Sequence, residues 1–477
     1  MLRKLALGVS MIALLSGTAA ANPGNNSNVT QESVGNTATI DQDMSDWGST
    51  SSVDQTGSSG VATVLQRDDG SPVGGEYAND STINQSGDSN SATVTQRSVG
   101  AADDDSAKNV SNVDQTGDGT TATVLQVGQS ATSVIMQAGA EQNADVEQRG
   151  DGAKTSAVLQ DGVAQFADVF QNGLDTGANI VSSVDQDGEG HQATVRQVGL
   201  EASSLIQQSG DFNIASVDQN STGDGVLDSL IIQRREGNMA TVVQDGAEAN
   251  SEIRQLGNFG LVDVIQNSDG GGLLDSLVRQ TGDTDQATVT QRGVSADSVI
   301  RQLGGAFQVA SVTQNSTGGD DLDSLVEQRG DTNTATVTQR GDSADSSVDQ
   351  QGSSQVATVL QVGGAAGEHY STITQVDAYN TATVTQRGDG STSSIIEQSG
   401  EFMEVTVLQN GTELVSEVYQ SLGAGSIASV TQTGENKTSF INQQGEGHIA
   451  TVMQQWGTPA VSDVVQTGIG NMANVRQ

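Results

Sequence analysis

The chain has 477 residues, of which 59 are acidic and 19 basic, giving a formal charge of −40, and it contains no cysteine. Disulfides and thiolate metal sites are therefore excluded, and the negative charge repels nucleic acid and anionic lipid over most of the surface. With 34% hydrophobic and 3% aromatic residues, the composition reads as disordered unless a regular pattern supplies a core, because chain entropy otherwise wins.

The first predicted element is an address. Arg3 and Lys4 form a basic n-region, Leu5 to Leu15 an apolar stretch, and Ala19-Ala20-Ala21 a small-residue cleavage site. Residues 1–21 therefore read as a secretory signal peptide, cleaved near Ala21. The apolar run is too short to cross a bilayer core of ~30 Å as a helix, so no membrane insertion is expected. Loss of Arg3 and Lys4 takes the formal charge from −40 to −42. A short segment, residues 22–26, then leads into the repeats.

From Ser27 to the last residue one unit recurs: S-x-V/I-x-Q, a glycine turn, then A-x-V-x-Q. There are nineteen copies, the first ending its two halves at Gln31 and Gln42. Gln55 and Gln66, Gln85 and Gln96, and Gln115 and Gln126 close the next three. Gln443 and Gln454, then Gln466 and Gln477, close the last two. The glutamines of a unit are eleven residues apart, or twelve in the units of Gln302–Gln314 and Gln420–Gln432. Ser stands four before the first-half Gln in all nineteen, as at Ser81 and Ser462, with Val or Ile two before it, as at Val464. In the second half Val stands two before Gln in eighteen units, as at Val94, and Ala four before it in seventeen. Gly lies two after the first-half Gln in fifteen units, including Gly57, Gly87, Gly117 and Gly468.

Spacing of two places residues on one face of a strand. Ser, Val/Ile and Gln thus share the inner face of the first strand, and Ala, Val and Gln that of the second. Intervening positions vary freely, which marks an outer face. Val is stiff and β-favouring, and no i, i+3, i+4 pattern appears, so helix is excluded. Two strands of about five residues cannot bury their face alone, whereas stacked copies can. The expected fold of residues 27–477 is all-β: a parallel β-solenoid of about 19 strand–turn–strand coils with two facing sheets, amyloid-like in design. At ~4.8 Å per coil the stack would be roughly 90 Å long. Inward amides cost several kcal/mol each if unpaired. Stacked in register, each Gln donates to one neighbour and accepts from the other, forming an amide ladder. The turn Gly is expected to supply a backbone conformation that other residues resist.

Capped solenoids end in atypical polar repeats. Here Ser462 to Gln477 is a full repeat, and the first begins soon after the expected cleavage point. Both ends are therefore expected to present strand edges that template head-to-tail growth into a homopolymer.

These units resemble the curlin repeat of bacterial curli fibre subunits. Clear instances run from Ser81 to Gln96, with Gly87, Asn90 and Ala92, and from Ser462 to Gln477, with Gly468, Asn471 and Ala473. The likeness covers residues 27–477, and five positions recur together. It implies an extracellular functional amyloid of biofilm matrix, adhesive and self-polymerising at the cell surface. It also implies a nucleator subunit, periplasmic chaperones and an outer-membrane curli-type secretion pore as partners. The ladder glutamines, turn glycines and asparagines match the family's core positions. This chain departs from the family in having more repeats than typical members. It also lacks a Gly-rich export segment before the first repeat, where only Asn22 to Asn26 stand.

Other features carry less. Acidic links such as Asp103-Asp104-Asp105, Asp68-Asp69, and Asp320-Asp321 with Asp323 sit between units. Oxygen-rich loops suit calcium, but solvated loops that keep an edge soluble are the favoured reading. An alternative function follows from them: a monomeric acidic surface adhesin with calcium-binding loops. Outward T-x-T pairs such as Thr93/Thr95 and Thr383/Thr385 invite comparison with ice-binding solenoids, yet Leu65, Phe170 and Arg196 interrupt the array. No catalytic, cofactor or metal site is expected. His191 and His448 fall at equivalent turn positions and replace the usual Asn, His369 stands apart, and Trp47 and Trp456 are isolated. Paired carboxylates lie in loops without an apolar pocket to tune them.

Overall fold

The computed structural model describes residues 13–14, 25–43, 48–68, 79–98, 108–175, 177–221, 226–246, 248–268, 273–293, 295–316, 321–341, 343–364, 367–455 and 459–477. Of residues 1–24 only Ala13–Leu14 is described, as a two-residue strand beside Thr37–Asp43. The basic n-region, the cleavage site, Trp47, Trp456 and most of the acidic links lie outside the described residues.

The described residues contain strands and turns and no helix, and each unit is a parallel β-solenoid. Two compact units divide the chain, Met1–Arg235 and Glu236–Gln477. In the first, strands Asn26–Gln31, Thr50–Gln55, Asp80–Gln85, Val110–Gln115, Ala131–Ala140, Ala153–Val163, Asn179–Glu189 and Glu201–Asp211 pair in succession to form one sheet. The second-half strands, from Thr37–Asp43 through Ile214–Asn220, form the facing sheet in the same way. Each strand bonds to its equivalent one coil later rather than to its own hairpin mate, which is what separates a solenoid from a row of hairpins. Register is strict: Ser27 pairs with Ser51, Val29 with Val53 and Gln31 with Gln55.

The second unit repeats the plan. First-half strands run from Ala249–Gln255 through Leu274–Gln280, Ala296–Leu303, Leu322–Arg329, Ala344–Ser353 and His369–Ala378 to Thr392–Glu401. Further along, Glu404–Ala424 and Ile427–Glu446 each run without interruption from the second half of one coil into the first half of the next. The twelve-residue unit of Gln420–Gln432 is absorbed by a register shift at Ser399/Gly400, after which Gly400 faces Gly423 and Leu422 is the extra residue.

Between the sheets lies a narrow core. Val53, Val64, Ile83 and Val94 in the first unit, and Ile253, Val264, Val278 and Val289 in the second, are wholly buried. Each contributes about 1.5–3 kcal/mol through burial. The recurring serines are buried too, but the hydroxyls of Ser51, Ser81, Ser111, Ser276 and Ser462 have no hydrogen-bond partner, so hydrogen bonding does not explain the recurrence of Ser.

The turn bears out one expectation and adds to it. Gly two after the first-half Gln takes up positive φ in most turns, as at Gly87, Gly139, Gly188 and Gly352, and it is also required by proximity. A Cβ on Gly57 would lie 1.5 Å from the Gly87 carbonyl oxygen, and one on Gly117 1.5 Å from that of Gly139. Where Gly is replaced there, Ser33, Arg235 and Asp377 take up positive φ as well. The left-handed position common to the turns lies two residues further on. In the first unit it is Gly35, Ser59, Ser89, Gly119, Glu141, Ala164, Gly190 and Phe212, with φ from +55° to +82°.

Candidate functional site: the buried amide columns

The inner face of each strand ends in glutamine, and parallel in-register stacking brings equivalent glutamines of successive coils within bonding distance. Gln31 Nε2 donates to Gln55 Oε1 at 2.6 Å, Gln55 to Gln85 at 2.7 Å and Gln85 to Gln115 at 2.7 Å. The second column runs beside it, from Gln42 to Gln66, Gln96 and Gln126 at 2.7–2.8 Å. In the second unit Gln420, Gln443 and Gln466 continue the first-half column at 2.8 Å, and Gln432, Gln454 and Gln477 the other at 2.9–3.0 Å. Oxygen accepts from one side and nitrogen donates to the other, so every rung has the same polarity.

Sequence reasoning left the second amide proton unassigned. The structure sends it across the core to a backbone carbonyl: Gln85 to Val61, Gln115 to Ser91, Gln126 to Val110 and Gln454 to Thr438, at 2.9–3.1 Å. These amides thus have oxygen and both N–H groups engaged, which removes the several-kcal/mol cost of burying them. The columns also tie the two sheets together, because each backbone leg reaches the opposite strand.

A third column lies at the turn, five residues after the first-half Gln. Asn36 Nδ2 donates to the Gly57 carbonyl at 2.7 Å, while its oxygen accepts from Gly60 N at 2.8 Å. Asn90 bonds Ser86 O and Thr120 N in the same way, and Asn471 bonds Thr467 O. His191 and His448 occupy this column. Nε2 of each meets a carbonyl four residues back, and Nδ1 accepts from the next coil's backbone, Asn213 N and Asn471 N respectively. Both are buried and serve as Asn substitutes. The column as a whole was hidden in the sequence because Asn, Gln, Gly, Thr, His, Asp, Met and Ser all appear in it.

Other buried polar groups were missed for the same reason. Lys154 is fully buried, and its ammonium donates to the carbonyls of Gln129, Gly150 and Gly152 at 2.6–2.9 Å. Burial brings its pKa down to about 8, with Asp151 opposing. His369, at the same strand position six before a first-half Gln, bonds Thr392 through Nδ1, and burial lowers its pKa. Val94 and Val464 stand between ladder positions in the core. Gly87 packs against Gly117, whereas no atom lies within 4 Å of where a Cβ on Gly468 would stand.

Among the described residues, no group of three His, Cys, Asp or Glu side chains is placed to hold a metal ion. The constellation supports stacking and register rather than bond chemistry. Residues 319–352 match a protein-family model described as the curlin associated repeat. No curated protein matches the chain.

Proposed function

From the curlin associated repeat that the chain carries at residues 319–352, we propose that it is a structural subunit of an extracellular curli-like amyloid fibre. Repeat and solenoid together point to a curli-like structural protein and away from an enzyme. Monomers are secreted and stack end to end at the cell surface, where the fibre serves adhesion and biofilm matrix. A nucleator, periplasmic chaperones and an outer-membrane pore of the curli type would be its partners.

The observation that carries this reading is the directional ladder. Gln466 and Gln477 each accept from the preceding rung and spend one N–H on a backbone carbonyl, Ile449 O and Val461 O. Their second N–H meets no acceptor among the described residues. At the other end Gln31 donates to Gln55 and is bonded by no preceding glutamine. An added copy placing Gln31 and Gln42 above Gln466 and Gln477 would continue both columns with the same bond. Strands Ala460–Ile469 and Met472–Arg476 pair in the same register with Ile427–Glu446 and Ile449–Gln454.

Purified mature protein should give thioflavin-positive fibres with a meridional reflection near ~4.7 Å. Persistence as a soluble monomer at high concentration and high salt would overturn the reading.

A further inference from the structure

Four successive coils of the second unit carry a two-coil alternation along the turn between their first and second strands. The left-handed turn position holds Phe259, Thr284, Phe307 and Thr332 in order, with φ of +53° to +59°. The residue before it is Asn258, Asp283, Ala306 and Asp331. Backbone bonds keep these positions level from coil to coil: Thr284 N to Asn258 O, Phe307 N to Asp283 O and Thr332 N to Ala306 O, at 2.7–3.1 Å. The strands that leave the turn begin with Leu261, Gln286, Val309 and Thr334, paired in register. Apolar rows, Phe259 with Leu261 and Phe307 with Val309, thus alternate with polar rows, Asp283 with Gln286 and Asp331 with Thr334. Like rows recur every second coil, about 10 Å apart.

Packing does not account for the rings. Phe259 lies against Gly237 of the preceding coil yet is 53% exposed, and Phe307 is 62% exposed. Both occupy a backbone conformation that a bulky side chain resists, at a place where Gly237 and Gly425 serve in other coils. The carboxylates are exposed as well. Asp283 Oδ1 accepts from the backbone and side-chain nitrogens of Asn258 at 2.8 and 3.0 Å, and Asp331 Oδ1 from Ala306 N at 2.9 Å. Neither forms an ion pair among the described residues. Arg254, Arg279 and Arg301 belong to the outer face of the first-half sheet, and Arg329 is held by Glu327. The buried Asp285 carboxyl at the same turn reports the local field: burial and then the Asp283 and Asp331 charges push its pKa up, with backbone amides of Gln308 and Gly282 opposing.

We propose that this turn edge binds an extended amino-sugar polysaccharide, a β-1,4-linked glycan with free amino groups. Consecutive sugars of such a chain are flipped, so every second sugar presents the same face and the same substituent to one side. That repeat is close in length to two coils. Phe259 and Phe307 each cover the C–H face of every second sugar, and Asp283 and Asp331 meet the ammonium groups between them. Pattern and charge select this occupant over others. An extended cationic peptide repeats its side chains every ~7 Å, out of step with the coils. An acidic glycan or a nucleic acid meets the carboxylates of a chain whose formal charge is −40. A neutral glycan satisfies the rings and leaves the carboxylates without a counter-charge. Each contact is weak alone and adds to the next along the polymer. The edge is complete within one chain, so the proposal does not rest on the fibre reading.

The probe is a fluorescent hexasaccharide of β-1,4-linked glucosamine, titrated at pH 6 with the full mature chain and read by anisotropy. Phe259→Gly with Phe307→Gly should weaken binding at least tenfold. Glycine suits the positive φ, so the denaturant midpoint should hold, which separates lost rings from lost fold. Phe259→Tyr with Phe307→Tyr should retain binding. Asp283→Asn with Asp331→Asn should weaken it at least fivefold and flatten its salt dependence. Leu422→Ala, at an exposed turn residue of another coil, should change nothing. The fully N-acetylated hexasaccharide, which carries no charge, should bind the parent at least tenfold more weakly than the amine form. Absence of binding by the parent, or binding indifferent to loss of the rings, would overturn the proposal. So would an acetylated hexasaccharide, an oligo-alginate or a hexalysine peptide that binds as tightly as the amine form. Thioflavin signal from the same samples reports the fibre reading separately.

Discussion

At residue scale the turn column shows how one atom decides a cost. Asn333 donates Nδ2 to the Arg329 and Gly352 carbonyls and accepts from Gln355 N, so its amide is used on both sides. Asp285 fills the same place two coils earlier, with Gln308 between them. Its Oδ1 accepts from Gln308 N at 3.0 Å, while Oδ2 has no partner and the residue is fully buried. Burial pushes its pKa up to about 6, Asp283 and Asp331 adding to the rise and the Gln308 and Gly282 amides opposing it. A raised folded pKa means that the folded state binds the proton more tightly than the unfolded chain. Stability is therefore lowest above about 6 and recovers as pH falls from there towards the ordinary value of 3.8. Asp285→Asn should stabilise the protein at pH 7.5 by on the order of 1–3 kcal/mol, with the gain shrinking by pH 4.5. Denaturant midpoints of parent and variant at both pH values measure this, and an equal gain at both would show that the buried charge is not the cause.

At element scale the strands were legible and the turns were not. Alternation announces a strand because side chains project with period two, and Ser, Val and Gln recur at fixed spacing because all coils share one interior. The turn hides its logic. Its left-handed position holds Gly190, Phe212, Gly237 and Phe259 at one place, since a ring can cover the glycine of a neighbouring coil. A Cβ on Gly190 would lie 2.5 Å from the Phe212 ring, and one on Gly237 2.5 Å from that of Phe259. Tyr379 and Phe402 stack at 4.8 Å instead. The glycine that does recur answers both to contact with the next coil, which no single unit reveals, and in most turns to a positive φ. Gly117 and Gly119 separate the two causes. Gly117→Ala drives a methyl group into the Gly139 carbonyl and should cost ~3 kcal/mol or more. Gly119, with φ +68° and open space around it, should lose only about 1–2 kcal/mol on substitution by Ala. Equal losses in denaturant unfolding would mean that backbone angle, not inter-coil approach, governs both. Lys154 and His369 were illegible for a related reason: with the equally buried Lys437 they are the exceptions in a column otherwise filled by Asn, Ser, Ala, Ile, Leu or Thr.

For the whole molecule the dominant fact is charge, 59 acidic residues against 19 basic. In the proposed fibre, stacking copies would bring these charges together, and the amide ladder would have to outweigh their repulsion. That repulsion acts through water and is screened beyond ~10 Å at 0.1 M salt, whereas the ladder is short-range and buried. Ionic strength should therefore change the rate of assembly more than the stability of a rung. Proton uptake acts in the same sense. Burial raises the pKa of Asp145, Asp168, Asp263, Asp297, Asp323 and Asp345 above the ordinary carboxylate value. These groups lose their charge first on acidification, and because their folded pKa values are raised, the folded state gains stability over the same interval. Lag times at pH 7.5 should shorten several-fold between about 10 mM and about 300 mM NaCl. At pH 5 the lag should already be short and its salt dependence smaller, since fewer charges remain to be screened. Thioflavin kinetics over this grid provide the check. Lags indifferent to salt at pH 7.5 would mean that inter-copy repulsion does not limit growth; equal salt slopes at both pH values would mean that these aspartates do not set it.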